Sequence, residues 1–315
     1  MNQKNKMIIL TGPTAVGKTA LSIALAKKIK GEIISADSMQ VYRYMDIGSA
    51  KISKDEMQGI PHYLVDVLMP EEEFNVCRFK EMAQEALSVI YERGHIPIIV
   101  GGTGFYIQAL LYDIDFSKEA EHSPVRARLE REAKEKGMEN LYAQLCKIDP
   151  VSAGEIHKNN TKRIIRALEF YELNGYPISE HNRREREKDA AYESWYFVLN
   201  DNRQQLYQRI DQRVDAMLAQ GLVEEVQKLK DMGCSKSMVS MQGLGYKEIL
   251  DYLEGECSLE DALYKIKRDT RHFAKRQLTW FRREQNVIWI DKPSFEYDDQ
   301  KILDFMVSKI KDSRL

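Results

Sequence analysis

Gly12-Pro13-Thr14-Ala15-Val16-Gly17-Lys18-Thr19 carries the strongest local chemical signal in this chain. It fits the GxxxxGK[ST] pattern, in which successive backbone N–H groups and a helix N-terminus cradle phosphate oxygens. Lys18 can neutralise terminal phosphates, and Thr19 can offer its hydroxyl to Mg²⁺. The pattern does not specify the phosphates: the end of ATP and the diphosphate of another ligand fit it alike. A coincidental glycine turn is disfavoured by the apolar run MIILT before it and the helical periodicity of ALSIALAKKI after it.

Three further segments end apolar runs with polar groups. Asp37 follows EIISA, where a carboxylate can accept a proton or orient a nucleophile, or else cap a helix or join a Mg²⁺ shell. Asp66, in HYLVDV, is either a Walker-B-like acid or a structural residue. Gly101-Gly102-Thr103-Gly104 follows IPIIV; its small residues let a ligand approach the backbone, and Thr103 can donate to a phosphate.

These groups need a scaffold that brings them to one edge. Strands are predicted at residues 7–11, 32–36, 62–67 and 96–100, with helices between them. One of these is an amphipathic stretch from Phe74 to Arg93, closed by Gly94. Alternating strands and helices indicate an α/β fold, a parallel sheet flanked by helices on both faces, with ligands at the carboxyl ends of its strands. From Pro124 to Asp189 the chain is helical and charged, starting at Ser123-Pro124. Strand-like WYFVL (195–199) and VIWI (287–290) then return. The organisation expected is a discontinuous core, 1–120 and 190–315 with C-terminal helices, and an all-helical insertion, 121–189.

Hydrophobic residues make up 43% of the 315 and charged residues 30%, which supports a sizeable core and excludes global disorder. No apolar run approaches the ~18–20 residues that cross a bilayer, and the N-terminus lacks a signal-peptide profile. A cytoplasmic protein is expected. Cys77, Cys146, Cys234 and Cys257 are scattered, so neither a zinc site nor a disulfide framework is recognisable.

The net charge of −2 conceals polarity. Lys265, Lys267, Arg268, Arg271, Lys275, Arg276, Arg282 and Arg283 lie in one segment whose only acid is Asp269. Phe273, Trp280 and Phe281 are interleaved there, as a buried stripe or as stacking groups for RNA bases. Lys162, Arg163 and Arg166 recur at helical spacing beside Ile164, Ile165 and Leu168. Arg209 and Arg213 share a helix with Asp211 and Asp215. Spacing alone leaves both sets open between a solvated face and a polyanion site.

Taken in order, GPTAVGKT, DSMQVYRYMDIGSAK, PHYLVDV, GGTGFYIQALL, NNTKRIIRALE, MQGLGYKE and KRQLTWFRR resemble the tRNA dimethylallyltransferases, from about Met7 to Asp291. The resemblance implies a P-loop NTPase-like core and a helical insertion that grips the tRNA anticodon stem-loop. It implies transfer of dimethylallyl from dimethylallyl diphosphate to N6 of the adenosine immediately 3′ of the anticodon, with the loop holding the diphosphate. By the same resemblance Asp37 is the general base, and Thr103 orders the diphosphate and the reacting centre. Lys18, Thr19-bound Mg²⁺ and Arg213 stabilise the departing charge. Contacts to tRNA fall on Asp37, Ser38, Met39 and Gln40, on Thr103 and Arg126, and on Lys162, Arg163, Ile164, Ile165 and Arg166. A further set comprises Met241, Gln242, Gly243, Leu244, Gly245, Tyr246 and Lys247. A monomer is expected.

The sequence departs from the family pattern at Val16 (usually serine), Tyr44 (glycine), Ser49 (threonine), Ile52 (proline) and Tyr63 (histidine). Competing readings are a small-molecule P-loop kinase consuming ATP, a prenyltransferase acting on free adenine nucleotides, and a nucleotide-gated tRNA-binding protein without transfer chemistry.

Overall fold

Residues 4–116 and 123–312 are described in a computed structural model of the chain. Six parallel strands form one sheet: β1 Lys6–Thr11, β2 Gly31–Ala36, β3 His62–Tyr63, β4 Ile96–Gly101, β5 Glu193–Asn200 and β6 Val287–Asp291. Their spatial order is β3-β2-β4-β1-β5-β6. In β1, Ile8, Ile9 and Leu10 are completely buried, because a central parallel strand is covered on both faces. This explains why its sequence reads as an unbroken apolar run rather than an alternation.

Register decides what emerges at the carboxyl edge. Thr11 pairs with Gly101, and Ala36 pairs with Gly101 from the other side. Gly12, Asp37 and Gly102 therefore leave the sheet at one level. Thr11 reinforces this alignment, its hydroxyl donating to the Gly101 carbonyl at 2.6 Å.

The strand expected at 62–67 is shorter. Only His62 and Tyr63 pair with β2, after which Leu64 and Asp66 adopt left-handed φ values of 60° each. The carboxylate of Asp66 then accepts from Lys51 Nζ at 2.9 Å, while Asp46 takes the same ammonium at 2.6 Å. Asp66 therefore lies in a loop beyond the strand end, paired with Lys51.

The chain forms two compact units. The first comprises residues 1–111 and 192–315 and contains the sheet. Its leading helices are α1 Lys18–Ile29, α2 Val76–Glu92 and α3 Gly104–Leu111. Asn75 starts α2 by accepting from the Arg78 N–H, which satisfies one of the orphan donors at a helix start.

The second unit, residues 112–191, holds α4 Pro124–Lys136, α5 Met138–Ile148, α6 Pro150–Glu155, α7 Thr161–Asn174 and α8 Ile178–Arg186. The boundary expected at 120/121 lies outside the described residues. Leu129, Leu141, Leu145, Ile164 and Leu168 meet in the core of this unit. Asp149 is 1% exposed and caps α6 by accepting from Ser152 N–H and Oγ. It also accepts from Ser179 N–H at 3.0 Å and Ser179 Oγ at 2.6 Å, on α8. Burial alone would raise its pKa, but these hydrogen bonds hold it below the ordinary 3.8.

The first unit resumes with α9 Arg203–Ala219, α10 Leu222–Asp231, α11 Tyr246–Leu253, α12 Leu259–Phe281 and α13 Asp299–Asp312. No helix among the described residues is long and apolar enough to cross a membrane.

Replacing Asp149 by Ala strips four donors of their acceptor and should destabilise the insertion by about 2–4 kcal/mol. Hydrogen exchange is expected to lose protection across α6–α8 and to leave β1 and β4 unchanged. Unaltered protection in α8 would contradict the role assigned to this carboxylate.

Candidate active site at the carboxyl ends of the strands

The loop between β1 and α1 curls because Gly12, Ala15 and Gly17 take φ values of 145°, 63° and 99°. At Gly12 the close neighbour is β5, since a Cβ there would stand 2.5 Å from the Leu199 carbonyl oxygen. Lys18 folds back over the loop and donates to the Gly12 and Pro13 carbonyls, each at 2.9 Å. Desolvation lowers the Lys18 pKa from 10.5 to about 8; repulsion from Arg213 adds to this, and Asp37 opposes it.

Asp37 follows β2 directly. Its Oδ1 accepts from the Met39 N–H at 2.8 Å and the Gln40 N–H at 3.3 Å, while Oδ2 has no hydrogen-bond partner among the described residues. Arg213 reaches in from α9. Solvent reaches this side chain at the rim, yet protein crowding around its guanidinium lowers its pKa, with Asp37 raising it and Arg209 lowering it. Lys18, Asp37 and Arg213 thus share one electrostatic environment.

Arg209 has a different fate. The buried Asp201 carboxylate pairs with it, and Asp201 also accepts from Tyr297 Oη and the Asn202 N–H. Of the two arginines four residues apart, the one left with positive charge to offer is Arg213.

Thr103 begins the turn after β4. Its N–H donates to the Ala36 carbonyl at 3.2 Å, which locks the turn to the strand bearing Asp37, and its hydroxyl has no partner among the described residues. The neighbouring glycines have a reason other than ligand approach. A Cβ at Gly102 would stand 2.1 Å from Gln277 Nε2, and one at Gly104 would stand 2.2 Å from the Trp280 ring. The small residues of GGTG admit α12.

Three of the eight cations of the basic segment are answered from within the chain. Lys267 pairs with Asp215 at 2.5 Å, Arg271 with Asp211 at 2.6 Å, and Arg268 with Asp269 at 2.8 Å. Two of these acids lie on α9. Phe281 is completely buried and Trp280 covers Gly104, so these two aromatics belong to the packed stripe, while Phe273 is half-buried beneath the Arg276 guanidinium.

The loop after Asp37 is held by Glu225, on α10. This carboxylate accepts from the N–H groups of Asp46, Ile47 and Gly48 at 2.7–3.0 Å and from Tyr246 Oη at 2.8 Å. Gln40 donates to the Ala50 carbonyl at 3.1 Å, and Gly243 makes room for the Met39 side chain. Met241 and Tyr246 are completely buried, and Gly245 supplies a φ of 96° ahead of α11. Their part is therefore to hold the segment, while Gln242, Leu244 and Lys247 retain accessible surface.

In the insertion, the side chains of Ile164 and Ile165 lie in the core. Lys162 and Arg163 are exposed and unpaired among the described residues, and Arg166 is half-buried. Arg126 pairs with Glu169 at 2.6 Å, and Ser123 donates to the same carboxylate.

Thr19 is exposed at the start of α1, and the described residues contain no cluster of three or more His, Cys, Asp or Glu suited to a metal ion. A lone hydroxyl of this kind fits Mg²⁺ that arrives with phosphate and water ligands, not a caged ion. Sequence reasoning missed Gln277 and Glu225. A glutamine within the apolar stripe of α12 was a readable signal, whereas nothing in the sequence marks Glu225 among its neighbours.

The family model described as IPP transferase matches residues 40–284. A tRNA dimethylallyltransferase from Lachnoclostridium phytofermentans is 59% identical, with 98% of each chain covered. The crystal structure of a tRNA isopentenylpyrophosphate transferase from Bacillus halodurans is 43% identical, has a TM-score of 0.72, and overlaps 98% of each chain. A eukaryotic dimethylallyltransferase described as acting on tRNA is 32% identical, with a TM-score of 0.79 over 91% of this chain and 74% of that one.

NMR titration of Lys18 from about pH 6 to 11 should give a midpoint near pH 8. Asp37→Asn should move it lower, because the group that raises it is lost; Arg213→Gln should move it higher, because a repelling cation is lost. An ordinary lysine midpoint in all three proteins would contradict the shared environment.

Proposed function

The chain belongs to the IPP transferase family, and we infer that it transfers a dimethylallyl group from dimethylallyl diphosphate to N6 of the adenosine immediately 3′ of the tRNA anticodon. The observation that carries this reading is the cluster of Lys18, Arg213 and Asp37 at the strand ends, two cations and a carboxylate with Thr103 on the adjoining turn. The N6 lone pair forms a bond to C1 of the donor, and the C1–O bond breaks with its electron pair leaving on the diphosphate. The N6 proton passes to Oδ2 of Asp37. Both products are thereby accounted for: N6-dimethylallyladenosine and diphosphate.

The N–H groups of residues 12–19 receive the diphosphate, and Lys18 and Arg213 stabilise charge that grows as the C–O bond lengthens. Fixed positive groups in a desolvated site are worth more to that state than to the ground state. Binding the anion also returns the Lys18 pKa upward. Thr19 would hold Mg²⁺ against the phosphates, adding neutralising charge on the leaving group. Thr103, with its hydroxyl unengaged and its N–H fixed to Ala36, orders the reacting centre. Since the adenine amine is a weak nucleophile, orientation supplies much of the acceleration. The target base leaves its stack to reach Asp37.

For tRNA, the exposed Lys162 and Arg163 in the insertion and Gln242 and Lys247 in the sheet unit offer contacts of the sort that hold phosphates and bases. All the proposed reacting groups come from one chain, which supports action as a monomer, and a tRNA substrate is in keeping with a cytoplasmic enzyme. A kinase reading shares the phosphate loop, but it predicts ATP turnover and gives no role to an adenine acceptor.

Unmodified tRNA incubated with the protein, dimethylallyl diphosphate and Mg²⁺ should show a dimethylallyl group on the anticodon-adjacent adenosine by nucleoside mass spectrometry. Asp37→Ala should lower the transfer rate by about 10²–10⁴-fold while tRNA stays bound. Folded protein that binds tRNA, transfers no prenyl group and turns over ATP in a parallel sample would overturn the reading in favour of the kinase.

A further inference from the structure

Gln277 is a buried polar side chain to which the reaction scheme gives no task. It is 6% exposed and lies in the apolar stripe of α12, between Ala274 and Phe281. Its Oε1 accepts from the Thr14 N–H at 2.9 Å, and its Nε2 donates to the Gly102 carbonyl at 3.0 Å. A backbone N–H only donates and a carbonyl only accepts, so these partners fix which way the amide points. One planar group thereby joins the third residue of the phosphate loop to the residue before Thr103.

The surrounding packing keeps that group in place. Position 102 has no room for a side chain while Gln277 is present. The helix carrying Gln277 is tied to α9 by the Lys267–Asp215 and Arg271–Asp211 pairs, and α9 carries Arg213. Thr103 is in turn tied through its N–H to Ala36, next to Asp37. The leaving-group side and the acceptor side of the site thus converge on one helix.

We propose that Gln277 is a positioning residue that sets the register between the diphosphate-holding loop and the Thr103–Asp37 side of the site. The proposal rests on the diphosphate reading of the loop given above. An apolar residue of similar size would fill the volume but leave the Thr14 N–H and Gly102 carbonyl without partners. The loop would then move relative to Thr103, and small displacements between reacting groups cost large factors in rate.

The test uses the full chain and the variants Gln277→Leu, Gln277→Ala, Gly102→Ala and the Gly102→Ala/Gln277→Ala double variant. Amide exchange at Thr14, measured without ligands, should accelerate in Gln277→Leu, which establishes the clamp independently of any activity. The kcat for prenyl transfer should fall roughly 10–100-fold, with the KM for dimethylallyl diphosphate rising severalfold and tRNA affinity staying within about twofold. Gly102→Ala alone should reproduce much of this loss, since its methyl displaces the glutamine. Added to Gln277→Ala, it should cost little more, a non-additivity expected of groups in contact.

Wild-type kcat and donor KM in folded Gln277→Leu would overturn the proposal. So would unchanged Thr14 exchange, or fully additive losses in the double variant. If the wild-type chain transfers no prenyl group, the functional reading fails; faster Thr14 exchange in Gln277→Leu would still show that the clamp exists.

Discussion

Two cations held beside one carboxylate at the open edge of a parallel sheet are the constraint on which the rest of the structure turns. Lys18 and Arg213 repel each other, and each is attracted to Asp37. Burial disfavours the charged form of Lys18 while the site is empty, and an anion with more than one negative charge favours it. The lowered Lys18 pKa records chiefly the desolvation of its ammonium, with Arg213 adding to it and Asp37 opposing it. On the proposed reading, diphosphate satisfies the arrangement, and the more so as the prenyl bond breaks, which is where catalysis needs the stabilisation.

Holding these groups together requires agreement among distant segments. The register of β1, β2 and β4 brings Gly12, Asp37 and Gly102 to one level. The long helix α12 closes over two glycines of the turn, engages the phosphate loop through Gln277, and balances its charge against α9. Glu225 gathers three N–H groups of the loop beyond Asp37 and the Tyr246 hydroxyl. A basic helix that resembles an RNA-binding surface in sequence therefore spends three of its cations on internal pairs. These pairs leave Lys275, Arg276, Arg282 and Arg283 exposed at the end of the same segment, as Lys162 and Arg163 are in the insertion.

The sequence made the phosphate loop, the sheet strands and the helical insertion legible, because each rests on local patterns: glycine spacing, apolar runs and helical periodicity. It also marked Asp37 and Thr103 as strand-end groups. What it hid depends on pairing between segments far apart. The roles of Gly102 and Gly104 become clear only once Gln277 and Trp280, more than 170 positions later, are seen against them. Asp66 stood open between a strand-end acid and a structural residue because HYLVDV looks extended; the left-handed turn at Leu64 ends the strand early. Ile164, Ile165, Met241 and Tyr246 lie in segments that resemble RNA contacts, yet they are the buried halves of those segments, a distinction that a motif cannot draw.

The central claim is that one strand-end cluster handles both the leaving diphosphate and the acceptor adenine. Its most direct test is a crystal structure of the chain with an anticodon stem-loop, pyrophosphate and Mg²⁺. The account predicts pyrophosphate in the loop of residues 12–19 within reach of Lys18 and Arg213, and the N6 atom of the flipped adenosine at hydrogen-bond distance from Asp37 Oδ2. Pyrophosphate bound elsewhere, or an adenine whose N6 faces away from Asp37, would contradict it.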